Sequence, residues 1–227
     1  MPLLGKAALA MWWEVAPGVR TEFEDWHSHE HFPERLSIPG FVRGSRWTGT
    51  MDVGSYFVMY ELDAYGTMTS PHYLARLNHP TRWSIKMMPH HLGMVRSQCR
   101  VVESYGSAIA RSMLTIRICP DDRRTEPLRS RLRQLLGEIP SQAGLTGGHL
   151  LLTDTPNSGK TTEQKIRGSD AVADWIVLIS GYDAHALREL TAHEFAAPML
   201  VDAGATQEQT IGLYDLAYTM TAQDLRA

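Results

Sequence analysis

The chain has 227 residues, 43% of them hydrophobic and 21% charged, with a formal net charge of −3. The composition is ordinary for a globular protein, and the pI of about 6.4 favours neither nucleic acid nor an anionic membrane as a partner. No run approaches the roughly 18 apolar residues that a spanning helix needs. The length suits one large domain or two of about 110 residues.

In chain order, Lys6–Val15 reads as a buried strand carrying Trp12 and Trp13 on opposite faces. One ring is expected in the core; the other is placed to stack on a planar ligand. Thr21–Leu36 reads as a helix closed by Pro39-Gly40. Pro33 lies inside it, removes an i→i−4 hydrogen bond, and should kink or end it. Phe41–Trp47 and Ser55–Leu62 read as strands joined by a turn with Gly49, Asp52 and Gly54. Ser70–Asn78 reads as a short helix with Pro71 in its first turn, Thr81–His91 as a second helix, and Met94–Ser104 as a strand.

The second half repeats this order. Ile109–Cys119 reads as a strand, followed by a helix from Asp121 or Asp122 to about Gly137 with Leu128, Leu132, Leu135 and Leu136 on one face. Arg129, Arg131 and Arg133 form its solvated side. His149–Thr153 and Asp174–Ser180 read as strands, Ala184–Phe195 as a helix, and Thr210–Tyr218 as the last strand. Two successive β-α-β-β-α-β units predict an α+β protein of tandem ferredoxin-like modules, residues 1–106 and 107–227. In Arg111–Ile118, Leu114, Ile116 and Ile118 should face helices, with Met113, Thr115 and Arg117 opposite. Two such sheets can close face to face into an intrachain barrel.

The densest chemistry lies in Phe23–Phe41, where the run His27-Ser-His-Glu-His31 is followed by Pro33. His27 and His31 are four apart and share one helix face, as do Glu30 and Glu34. Three readings stand side by side. One imidazole serves as a general acid or base, tuned by a neighbouring carboxylate. Alternatively the His27/His31 pair binds a metal with an acidic third ligand. Finally, the histidines are structural.

Phe23, Trp26, His31, Pro33 and Pro39-Gly40-Phe41 resemble the first-helix signature of the EthD-like dimeric α+β barrel superfamily. Tyr73–Asn78, Pro80-Thr81, Trp83 and Arg96-Ser97 resemble a bacterial subgroup of that superfamily with two fused modules. The second half is similar in topology and lacks the His-x-Pro signature. The resemblance implies a ferredoxin-like barrel and a small-molecule enzyme of decarboxylase, cyclase, isomerase or monooxygenase type. It implies that His31 moves a proton, with His27 or Glu30 orienting it. Arg43, Arg46, Trp47, Tyr56, Tyr60 and Arg117 are candidate contacts to a compact aromatic or anionic substrate. No cofactor is expected. Haem, with an axial ligand among His72, His79, His90 and His91, or a divalent metal is the rival, as is a non-catalytic binding or stress-related barrel. Exposed sheet edges leave a homodimer open.

Other signals imply less. Asp154–Thr161 ends like a Walker A loop, but Asp154 replaces its first glycine and would oppose phosphate. Pro156–Ser169 reads as a polar loop. His90-His91 reads as a pair at a helix C-terminus. Cys99 and Cys119 form no framework and read as buried thiols, which suits a cytoplasmic setting.

Overall fold

The computed structural model describes residues 2–154, 161–168 and 170–226. Its first half runs β1 (Ala7–Val15), α1 (Arg20–Trp26), α2 (Phe32–Leu36), β2 (Phe41–Gly49), β3 (Ser55–Leu62), α3 (Pro71–Asn78), α4 (Arg82–Met87) and β4 (His91–Gly106). The second runs β5 (Ser112–Pro120), α5 (Thr125–Glu138), β6 (Leu145–Thr153), α6 (Thr162–Arg167), β7 (Trp175–Gly181), α7 (Ala184–Ala192), α8 (Ala197–Ala203) and β8 (Ala205–Thr221). The expected β-α-β-β-α-β order therefore occurs twice. The strands hydrogen-bond in the order β1-β3-β2-β8-β5-β7-β6-β4 and close into a barrel.

The chain forms two compact units that interleave along the sequence. One comprises Leu4–Cys99, Asp154–Val172 and Ala217–Ala227; the other comprises Met1–Leu3, Arg100–Thr153 and Ala173–Leu216. We call them the histidine unit and the leucine unit.

In the histidine unit β3 pairs antiparallel with β1 and β2, through Trp13↔Tyr56 and Trp47↔Phe57. Period-2 alternation then sorts the side chains. Leu9, Met11 and Trp13 of β1 and Tyr56, Val58 and Tyr60 of β3 pack with Phe23, Trp26 and Phe32 of the helical layer. On the opposite face Trp12, Phe57 and Trp47 stack at centroid distances of 4.9 and 5.1 Å. Two glycines set how the helix meets β2. Gly40 has φ +94°, a conformation that favours glycine, and it turns the chain from α2 into β2. A Cβ at Gly44 would lie 2.2 Å from the Phe32 ring, so only glycine lets that ring rest on the strand.

The leucine unit is plainer. Leu114, Ile116 and Ile118 of β5 pack against Leu128, Leu132 and Leu136 of α5, with Val177 and Ile179 of β7 beside them. The face assignment of β5 thus holds.

Several boundaries differ from the sequence reading; β8, for one, begins at Ala205 rather than Thr210. The helix expected to reach His91 stops at Met87, because Pro89 cannot continue it; a 3₁₀ turn Met88–His90 follows and His91 opens β4. The helix expected over Ala184–Phe195 ends early, at Ala192, and Pro198 enters the first turn of a further helix, α8. β6 begins at Leu145, four residues early, through two glycines. Part of the expected polar loop is α6, started by a capping box between Thr161 and Gln164. The Walker-like stretch lies largely outside the described residues. Among the described residues, no helix is long and apolar enough to cross a membrane.

Candidate active site in the histidine unit

The sequence His27-Ser-His-Glu-His31 does not break the helix; it widens it. Pro33 has no N–H to give, and its ring would collide with the carbonyl four residues back. The chain answers with a π-helical turn over His27–His31, in which the Phe32 N–H bonds to the His27 carbonyl. Pro33 then occupies the first turn of α2, where no N–H is needed. The expected kink at Pro33 is therefore a local widening, and it lays the two imidazoles against each other at 5.3 Å and 30°.

Both rings are buried, His27 at 1% and His31 at 8% exposure. They line a cavity of about 30 Å³ with Met11, Trp13, Trp26, Met88, His91, Met94 and Arg167. A space of that size takes one water or one small ligand group. Next to it lies an open cleft of about 330 Å³, lined by His91, Gly93, Met94, Arg167, Asp170 and Ala171. His91, Met94 and Arg167 border both, so they form the wall through which a ligand in the cleft would reach His31.

The walls hold all three imidazoles neutral. Burial, followed by Arg46, pushes His27 well below the ordinary imidazole range. Burial, followed by Arg35, does the same to His31. Burial, followed by Arg167, takes His91 down to about 3. Their partners assign protons. An arginine can only donate, so Arg46 Nη1 at 3.4 Å makes His27 Nδ1 the acceptor. His91 Nδ1 donates to the Met88 carbonyl at 3.1 Å, which leaves Nε2 as an acceptor. His31 Nδ1 makes no hydrogen bond, and Glu34 Oε2 lies 3.9 Å away. That carboxylate favours a proton on Nδ1 and a lone pair on Nε2.

Charged groups form a chain beside the cavity. Glu34 Oε2 accepts from Arg35 at 3.1 Å, and Arg35 also donates to the buried Glu163 of α6. Glu163 Oε2 lies 3.6 Å from Arg167, which donates to Asp170 Oδ2 at 3.0 Å. Burial, the largest single influence, would lower Arg35, but Glu163, Tyr73 and Glu34 together outweigh it and raise the guanidinium. This chain ties α6 to α2 and fixes the Arg167 side chain.

The residues predicted from sequence do not all converge. His27, His31 and Arg46 meet, and Arg46 also lies over the Phe23 and Tyr218 rings at 5.9 and 5.8 Å. Glu30 does not orient His31. Its Oε1 accepts from Trp26 Nε1 at 3.1 Å and Thr81 Oγ1 at 2.5 Å, so it locks the Trp26 indole to α4. Tyr56 and Tyr60 share the helix-facing side: Tyr56 donates to Glu24 at 2.8 Å, and Tyr60 packs on Phe32 and Phe41. Burial raises both phenols. Arg43 and Trp47 belong to the opposite face, where Arg43 Nε donates to Glu61 at 2.6 Å and Trp47 stacks on Phe57. Arg43 and Arg46 are three apart on one strand, and period 2 alone sends them to opposite sides. Arg117 lies in the leucine unit, half-buried, on the face of β5 away from the leucine core.

Arg167 and Asp170 were not among the predicted site residues, and His91 entered only as a candidate haem ligand. His91 was read as a helix end, whereas Pro89 was the signal that the helix had already stopped. Arg167 fell in a stretch read as loop, and Asp170 just beyond it, although Thr161-x-x-Gln164 is a capping-box pattern that announces a helix. His72 and His79 are exposed and stand apart from the cavity. Among the described residues, no three His, Cys, Asp or Glu side chains are arranged to hold a metal ion. Cys99 is buried, Cys119 is half-buried, and neither forms a disulfide.

No protein-family model and no curated protein matches this sequence. Solved structures do match it. An anthrone oxidase-like protein superposes with a TM-score of 0.71 at 10% identity, over 98% of this chain and 96% of that one. A candidate monooxygenase from Fusobacterium nucleatum subsp. nucleatum gives 0.63 at 7% identity, over 96% and 95%. A candidate chlorite dismutase gives 0.54 at 13% identity, over 96% and 97%. The chain has the ferredoxin-like dimeric α+β barrel fold. At these identities the likeness establishes that fold alone.

Proposed function

We propose that the protein is a small-molecule enzyme of the EthD-like type. In this reading it moves a proton on a compact aromatic or enolisable compound by side-chain acid/base chemistry, without a redox cofactor. The observation that carries the proposal is His31, a buried neutral imidazole whose Nδ1 makes no hydrogen bond and which lines a small cavity next to an open cleft. A neutral imidazole is in its proton-accepting form at pH 7. The substrate C–H bond breaks, its electron pair moves to the adjacent carbonyl oxygen, and the proton goes to His31. Glu34, 3.9 Å from Nδ1, stabilises the imidazolium until the proton returns. Return to a different atom completes an isomerisation; other outcomes start from the same anion. The fold relatives named anthrone oxidase-like and monooxygenase are consistent with small-molecule chemistry on such a barrel.

The test is exchange of the α-hydrogens of a panel of small ketones, acetophenone among them, for deuterium in heavy water, followed by proton NMR. The wild type should accelerate exchange of at least one. His31→Gln should lose about 10²-fold or more of that acceleration with its fold intact. Equal exchange by wild type and variant would overturn the proposal.

A further inference from the structure

Two residues that line the cleft beside the histidine cavity, Arg167 and Asp170, each hold a polar atom with nothing to bond. Arg167 and Asp170 are both more than nine-tenths buried at their side chains, 8% and 7% exposed. Their mutual contact uses Arg167 Nη2 and Asp170 Oδ2. Among the described residues, Arg167 Nε and Asp170 Oδ1 are buried without a partner. One is an obligatory donor and the other an obligatory acceptor, and both residues line the same cleft. His91 adds a second acceptor, since its Nδ1 proton is committed to the Met88 carbonyl and Nε2 keeps its lone pair. Leaving buried polar groups unmatched is costly, so this wall is complementary to a ligand that supplies both halves.

The charges narrow the class further. Arg167 is already matched by Asp170 at 3.0 Å and Glu163 at 3.6 Å, and Glu163 is shared with Arg35. With Arg76, 3.7 Å from Glu34, three guanidiniums therefore face the three carboxylates Glu163, Asp170 and Glu34. No net positive charge is left for an anion, and Asp170 Oδ1 would repel one. This departs from the anionic substrate that the arginines of β2 suggested.

Resting on the acid/base reading above, we infer that the substrate is an uncharged hydroxy-carbonyl compound, its carbonyl oxygen accepting from Arg167 Nε and its adjacent hydroxyl donating to Asp170 Oδ1 or His91 Nε2. Arg167 is then a substrate-binding residue placed where the electron pair arrives when a proton leaves the neighbouring carbon. The same contact that fixes the ligand stabilises the developing enolate oxygen.

Binding tests this apart from turnover. Three probes of one size are titrated by calorimetry or NMR: phenacyl alcohol, which is neutral with carbonyl and hydroxyl on adjacent carbons; its methyl ether, which lacks the donor; and mandelate, which replaces the ketone by a carboxylate. Phenacyl alcohol should bind saturably, with both the ether and mandelate at least 10-fold weaker. Arg167→Lys keeps the charge but loses the Nε–H, and should weaken phenacyl alcohol about 10-fold while narrowing its advantage over the ether only slightly. Asp170→Asn should reduce the discrimination against mandelate. Both variants are checked for a wild-type melting transition; if either unfolds, the ranking of the three probes on wild type decides. Mandelate binding as tightly as phenacyl alcohol, an ether that binds equally well, or no saturable binding of phenacyl alcohol overturns the inference. Tight, correctly ranked binding without deuterium exchange would instead leave this inference standing and sink the acid/base reading.

Discussion

The two units run through the same order of elements and use it differently. In the leucine unit the first helix, α5, is one unbroken stretch of 14 residues whose buried side is all leucine. In the histidine unit the corresponding stretch runs on as α1, a widened π turn and α2, and its buried side mixes Phe23, Trp26 and Phe32 with His27, His31 and Arg35. Each unit also buries a histidine, His149 on strand β6 in one and His31 on the π turn in the other. His149 is satisfied on both ring nitrogens, by Ser104 at 2.9 Å and the Ser107 carbonyl at 3.3 Å. His31 has no hydrogen bond at Nδ1. Buried polar groups are normally paired, and one that is not costs stability. One unit has the packing of a scaffold, and the other keeps unmatched groups around a cavity, as functional sites do.

The largest effect that could break this comparison is on stability. Leu132→Ala, at a fully buried position in α5, should cost about 2–5 kcal/mol in denaturant unfolding. His31→Leu should cost nothing or gain about 1 kcal/mol, because it removes an unmatched polar atom of similar volume. Equal losses would mean that His31 is an ordinary core residue.

Next comes pH. His91 binds its proton only near pH 3 when folded, against the ordinary 6.5 when unfolded, and His27 and His31 are displaced in the same direction. Between those values the unfolded chain holds more protons, so stability falls as pH drops from about 6.5 towards 3 and is fully present above 6.5. Replacing His27, His31 and His91 together by Phe, Leu and Phe should flatten this slope in the denaturant midpoint. An unchanged slope would place its origin elsewhere.

A smaller effect is expected at His149. His149→Leu removes two hydrogen bonds and should destabilise by about 1–2 kcal/mol, opposite in sign to His31→Leu. The smallest concerns α6. Thr161→Ala deletes its capping box and should cost about 1 kcal/mol or less, while weakening phenacyl alcohol a few-fold by loosening Arg167. Unaltered binding would show that the ion pairs to Glu163 and Asp170 hold Arg167 without the cap.

Much of the fold was legible because it rests on periodicities that act locally. Alternation in β1 and β5 and the leucine stripe of α5 identified strands, helix and buried faces, and the repeated element order implied the barrel. The site was legible only in part. The clustering of His27 and His31 was visible, but the π turn that stacks them depends on how Pro33 is accommodated. Glu30 looked like an orienting carboxylate, yet Trp26, Thr81 and Ser84 claim it through contacts made 4 to 54 residues away. Period 2 parts Arg43 from Arg46, but which of the two faces the helices needed the strand register. Arg167 and Asp170 reach the cleft beside the cavity from more than 130 residues beyond His31, through a pairing of Arg35 with Glu163 that no local pattern encodes.

The most direct measurement of the central claim is the nitrogen NMR of the imidazoles between pH 7.5 and 4.5, with and without phenacyl alcohol. His31 should stay neutral across that range, His91 should carry its proton on Nδ1, and addition of the compound should shift His31 Nε2. A His31 that titrates near 6.5 like a free imidazole, indifferent to the compound, would contradict the account.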